Sequence, residues 1–153
     1  MPGRSESHFG GMAELVSHVC KAFADCQAVV FEVQGFGQEK WPVDVATDLS
    51  VVVEQLPSVL ARLRRGDPAV ELDFYEQGVE RVVCFESRAD DGLTVSCLSS
   101  SAHWQPNPAE YSCPRSEIIS MLSGVLDCFA MWTRVIFPKV DEYPPFAEWV
   151  CGE

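Results

Sequence analysis

The segment from Val70 to Leu98 constrains the fold most, because apolar and polar residues alternate in three short runs separated by turn residues. A period of two predicts three antiparallel strands, each with one buried and one exposed face. A shift of one residue would move the apolar side chains to the other face, so the pattern fixes the register. With Gln77-Gly78 at the centre of the first turn and Arg88 to Gly92 as the second, the predicted pairs are Val70 with Phe85, Leu72 with Val83, Phe74 with Arg81, Phe85 with Val95 and Val83 with Cys97.

This register divides the predicted sheet into two faces. The inner face is apolar and is expected to form the core: Val70, Leu72, Phe74, Val83, Phe85, Leu93, Val95 and Cys97. The outer face is mixed: Glu71, Asp73, Tyr75, Glu80, Val82, Cys84, Glu86, Thr94, Ser96 and Leu98. Residues 67–91 carry a net charge of −6, which is half of the −12 of the whole chain.

Helical spacing occurs in three other parts of the chain. Apolar residues recur every three or four positions over 11–24 and from Arg115 to about Ile136, where Pro138 ends the pattern, so both are predicted helices. Residues 49–64 leave two alternatives, because three consecutive valines favour a strand and Pro57 disfavours a helix interior.

For 49–64, a kinked helix is favoured over a strand at 49–54 followed by a short helix that starts at Pro57. Thr47 or Asp48 is a suitable N-cap, and Gly66 is a suitable residue after the helix end.

The remaining segments complete a single α+β domain over residues 1–153. Residues 27–34 alternate like a strand, Gly35-Phe36-Gly37 is a turn, and 40–45 is a possible edge strand. Residues 99–116 are polar and rich in proline, which predicts a surface loop. The tail is expected to fold back onto the body through Phe146 and Trp149. The predicted architecture has two layers, an antiparallel sheet of four or five strands with helices mainly on one face.

Composition excludes some classes of partner. With 11 basic and 23 acidic residues, the chain is poorly suited to nucleic acid or to an anionic membrane surface. It is suited to a basic protein partner, although acidity alone also serves solubility. Glu14, His18 and Lys21 interrupt the N-terminal apolar residues, so no signal peptide is expected, and the predicted location is the cytoplasm.

No motif predicts catalysis or cofactor binding. The seven cysteines form no CxxC pair, and the odd number argues against a disulfide framework, so they are expected to be small buried side chains. Cys84 is the one cysteine expected near solvent on a strand, but no spacing provides it with a histidine and an orienting group. We therefore expect no catalytic residue, no metal and no cofactor.

The outer face of the sheet is the candidate binding surface. Aromatic side chains surrounded by charge are typical of interface hot spots. The alternative is a second helical layer over Val82, Cys84 and Leu98, with the acids simply solvated. The predicted partner-binding residues are Glu71, Asp73, Tyr75, Glu80 and Trp104.

Several short segments together resemble immunity proteins of bacterial polymorphic toxin systems. They are Trp41-Pro42-Val43-Asp44, Thr47-Asp48-Leu49, Asp73 to Arg81, Trp104-Gln105-Pro106 and Pro145 to Trp149. The resemblance implies a protein that binds and neutralises a cognate toxin domain, often a basic one that acts on nucleic acid, and it implies no catalytic residues. The alternatives are a self-associating structural or regulatory domain and a small enzyme with an unrecognised pocket.

Overall fold

The computed structural model describes the backbone of residues 11–151 and the side chains of residues 11–150. Within these residues the chain is α+β, as predicted. The helices are α1 (Met12–Cys26), α2 (Asp48–Arg65), α3 (Arg115–Ile136) and α4 (Pro144–Cys151), with a 3-10 turn at Val140–Glu142. The strands are β1 (Ala69–Phe74), β2 (Arg81–Ser87), β3 (Gly92–Ser99) and β4 (Glu110–Pro114).

The four strands form one antiparallel sheet in the order β1-β2-β3-β4. The predicted register is confirmed, since Leu72 pairs with Val83 and Val83 pairs with Cys97. All eight residues of the predicted inner face are buried, which shows that burial of one face fixed the pairing.

Gln77-Gly78 lies at the centre of the first turn, as predicted, and Gly78 has a φ of 95°, but the two-residue loop is wrong because β1 ends at Phe74 and β2 begins at Arg81. Residues 75–80 form a wider connection, in which the carbonyl oxygen of Glu76 accepts hydrogen bonds from the N–H groups of Val79 (3.1 Å) and Glu80 (3.2 Å). Val79 is only 1% exposed, so the turn opens to place this side chain in the core.

Three predictions of strand and loop are also wrong. Residues 27–34 join no strand, although Val29, Phe31 and Val33 pack against the core as their alternation predicts. Residues 40–45 form no edge strand either. In contrast, Glu110–Pro114 lies in the segment predicted to be a loop and pairs with β3. The alternation in 27–34 reports burial of one side of an extended segment, which does not require a neighbouring strand.

The region around Pro57 is a single helix, so the alternative of a strand and a short helix is wrong. Thr47 occupies the N-cap position, but its side chain makes no cap bond. Instead the carboxylate of Asp44 accepts hydrogen bonds from the N–H of Thr47 (2.7 Å), and the carboxylate of Asp48 accepts one from the N–H of Asp44 (2.8 Å). At the other end, Gly66 adopts a left-handed conformation with φ of 78°, as predicted.

The buried face of the sheet belongs to one core with side chains from α1, α2 and α3. Phe146 is fully buried and Trp149 packs against the same core, so the predicted folding back of the tail is confirmed. By length and composition α3 could cross a membrane, as core helices of soluble proteins also could. Its residues Leu122, Leu126 and Phe129 lie in the core.

Candidate protein-binding face

The outer face of the sheet, opposite the core, is open to solvent. Leu98 on β3 is 65% exposed and Tyr75, just after β1, is 57% exposed. No helix among the described residues therefore covers the centre of this face. The expected alternative, a second helical layer over Val82, Cys84 and Leu98, is not found there.

The strand register arranges the outer side chains in rows across the sheet. One row has a carboxylate at each end, because Glu71 on β1 and Glu110 on β4 flank Cys84 and Ser96. The next row runs from Asp73 through Val82 to Leu98. The face thus combines the apolar Val82 and Leu98 with carboxylates on its edge strands and, in Glu86, on the inner strand β2, a mixture of polarity found in protein interfaces.

Tyr75 follows the end of β1 in an acidic environment. Burial raises the pKa of its phenol, and the negative charges of Glu54, Glu76 and Asp73 raise it further. The hydroxyl therefore stays protonated at neutral pH and is available as a donor. A half-exposed phenol ring beside carboxylates combines an apolar anchor with a hydrogen-bond donor.

The thiol of Cys84 is part of the same surface. Burial is the main cause that raises its pKa, and the charge of Glu71 adds to this, while a hydrogen bond with Ser96 opposes it. Cys84 is therefore a neutral thiol at neutral pH, and it contributes a small apolar side chain to the centre of the face.

The predicted binding residues do not all lie together. Glu71 and Asp73 belong to the outer face by their register, and Tyr75 is exposed just after β1. Glu71 is exposed on its strand. Glu80 is exposed but lies in the connection before β2, with φ of 51°. Trp104 is half-buried, and its ring centroid lies 3.7 Å from the guanidinium carbon of Arg81, whose side chain belongs to the buried face.

Arg81 was not recognised from the sequence as an unusual residue. It is only 3% exposed, and its guanidinium lies between the rings of Trp104 and Trp41, the latter at 4.5 Å. Burial lowers its pKa. Its Nε and Nη1 atoms have no hydrogen-bond partner, and no carboxylate in the described part of the chain pairs with it. The two indole faces are therefore its main electrostatic support. The available signal was a charged residue at an inner-face position opposite Phe74.

Sequence reasoning also missed the contribution of β4. Glu110 and Ser112 extend the outer face beyond β3, and the alternation of Glu110, Tyr111, Ser112 and Cys113 was the signal that could have revealed this.

Among the residues that the structure describes, no three His, Cys, Asp or Glu side chains come together in a way that could hold a metal ion. The features of the outer face that bear on binding are therefore its exposed apolar side chains and its carboxylates.

Comparisons with models of protein families, with curated proteins and with solved structures find no match to this chain, so its function has to be inferred from its own geometry.

Proposed function

We propose that this protein binds a basic protein partner through the outer face of its sheet, and that it is an immunity protein which neutralises a cognate toxin domain. The observation that carries the proposal is the open sheet face, where exposed Leu98 and Tyr75 lie among carboxylates. Exposed apolar and aromatic side chains among charged ones are typical of a docking surface.

The charge of the chain supports a basic partner. A net charge of −12 accelerates the encounter with a basic protein and repels acidic ones. Two copies of this face would bring carboxylates against carboxylates, which disfavours the alternative of self-association through the sheet. A toxin domain that acts on nucleic acid would present the complementary basic surface.

The experiment uses the toxin domain encoded by the neighbouring reading frame as the probe. Its affinity for the full chain is measured by calorimetry, together with protection of cells that express the toxin. In one variant, Glu71→Lys and Glu86→Lys reverse two exposed charges on the outer face. A matched variant, Glu14→Lys and Glu148→Lys, makes the same change of net charge on exposed positions of α1 and α4.

We expect the outer-face variant to bind at least about tenfold more weakly and to lose protection, because each reversed side chain now repels the partner. The control variant should keep an affinity close to that of the native chain. Absence of any binding or protection by the native chain would reject the immunity function. Equal weakening in both variants would show that only net charge matters and would reject this face as the docking site.

A further inference from the structure

Helix α3 carries an apolar stripe that faces solvent. Met121, Met131 and Val135 are 55%, 52% and 61% exposed, and Gly124 and Cys128 are exposed between them. These positions are separated by three or four residues, so they lie along one side of the helix. The core-facing positions of α3, which include Leu122 and Phe129, form a separate stripe. The helix therefore has one apolar side that the core does not use.

A groove runs beside this stripe. It encloses about 360 Å³ and is lined mainly by apolar side chains, including Phe31, Val125 and Trp132. One wall is α3 and the other is the extended segment around Phe31, where Val30 is 79% exposed. Two exposed methionines beside a groove are typical of surfaces that bind helices, because their flexible side chains adapt to the partner.

The charges around the groove and stripe define the partner. Glu32 is the only charged residue among those that line the groove, and Asp127 is exposed beside the stripe on α3. Arg134, near the end of the stripe, is bound to Asp141 at 3.1 Å. A second copy of this chain would bring a further charge of −12 to the groove, and an anionic membrane would also be repelled. A ligand with cationic flanks is complementary.

We propose that this groove binds one amphipathic helix of a partner protein, with an apolar side seated against α3 and Lys or Arg residues flanking it. The spacing of the stripe matches the i, i+3, i+4 anchors by which a helix occupies such a groove. Gly124 lies at the centre, and a Cβ placed there would meet no atom within 4 Å, so the partner backbone can approach α3 closely. This surface is separate from the outer face of the sheet.

The test uses the full chain and a fluorescently labelled peptide of about 18 residues, with Leu at helical spacing and Lys elsewhere. A peptide of the same composition in scrambled order and a Leu/Glu peptide are the comparisons, with anisotropy measured at about 150 mM salt. Gly124→Trp fills the groove, while Ser58→Trp places the same ring on an exposed position of α2 that does not line it. Circular dichroism establishes that both variants are folded.

We expect the helical Lys peptide to bind at least about tenfold more tightly than the scrambled and Leu/Glu peptides. Gly124→Trp should weaken binding about tenfold or more, and Ser58→Trp should leave it unchanged. The outer-face variant Glu71→Lys and Glu86→Lys should also leave it unchanged, which separates this proposal from the proposed function.

The proposal is overturned if the scrambled peptide binds as well or if Gly124→Trp has no effect. It is equally overturned if Gly124→Trp instead abolishes a dimer seen by sedimentation, or abolishes binding to phosphatidylcholine–phosphatidylglycerol vesicles. These results would assign the groove to a second copy or to a membrane.

Discussion

The side-chain amide of Gln55 forms two hydrogen bonds with the backbone of Asp73. Its Nε2 donates to the carbonyl oxygen of Asp73 at 2.7 Å, and its Oε1 accepts from the N–H of the same residue at 2.9 Å. β1 is an edge strand, and the outward N–H and C=O groups of an edge invite pairing with other chains. Helix α2 thus closes this edge at one point and holds the acidic face in position, which gives the residue a role that substitution can measure.

Gln55→Met should lower the free energy of unfolding by about 1–3 kcal/mol, because it leaves two backbone groups of Asp73 without partners. The measurement is urea denaturation at neutral pH. Gln77→Met is the matched control in an exposed turn and should change stability by less than about 0.5 kcal/mol. If the two variants were equally stable, the two hydrogen bonds between Gln55 and Asp73 would contribute nothing to the free energy of unfolding in solution.

The stack around Arg81 predicts unequal effects for its two tryptophans. Trp41 is 1% exposed, so Trp41→Ala should cost about 3–5 kcal/mol, as usual for a large core side chain. Trp104→Ala should cost only about 1–2 kcal/mol, the scale of a cation–π contact, because water can then hydrate the guanidinium. Chemical denaturation of the two variants measures both losses in the free energy of unfolding. Equal losses would show that Arg81 gains nothing from exposure to water.

Gly37 is required by close packing as well as by its φ of 87°. A Cβ at this position would overlap the carbonyl oxygen of Asn107. Gly78, with a similar φ of 95°, is the matched control, since a Cβ there would meet nothing within 4 Å. Gly37→Ala should therefore be less stable than Gly78→Ala by about 1–3 kcal/mol, the cost of overpacking. Thermal and urea unfolding of the two variants test this, and equal stability would contradict it.

The parts of the fold that were predictable are those in which burial and periodicity agree. The register of β1 to β3 followed from the sequence because a slip would have placed Leu72 and Val83 in water. Helix α3 followed from its spacing, and Pro138 marked its end. The outer face was predictable for the same reason, since residues that alternate with buried ones must lie on the opposite side.

The parts that failed depend on contacts between distant segments. Residues 27–34 alternate because one side packs on the core, and the sequence cannot show whether a strand lies beside them. β4 was hidden by its short length and its exposed residues, with Pro106, Pro108 and Pro114 nearby. The stack of Trp41, Arg81 and Trp104 joins three separate regions, so the local alternation could indicate only that Arg81 occupies an inner-face position.

Asp48 should make stability fall as pH rises. Burial raises its pKa, and the negative charges of Asp44 and Glu76 add to this, although the N–H of Asp44 donates to it. The folded state therefore holds this proton more tightly than the unfolded state, whose pKa is about 4, and the cost of ionisation is complete above the folded pKa. Asp48→Asn should gain stability relative to the native chain between pH 3 and pH 7. Denaturation at both pH values measures this difference, and a difference that does not change would reject the raised pKa.

Asp67 should act in the opposite direction. A hydrogen bond from Arg65 lowers its pKa well below the usual range, and a second one from Arg62 contributes, with Nε–O distances of 2.8 Å and 2.9 Å. The stability that this carboxylate provides is present above the unfolded pKa of about 4 and is lost as pH falls below it. Asp67→Asn should therefore be less stable than the native chain at pH 7, and the two should converge in acid. In an Arg65→Met background the same substitution should have a smaller effect, because Arg65, which makes the larger contribution to the lowered pKa of Asp67, is already absent. Unfolding curves from pH 2 to pH 7 test this, and parallel pH profiles for Asp67→Asn and the native chain would contradict it.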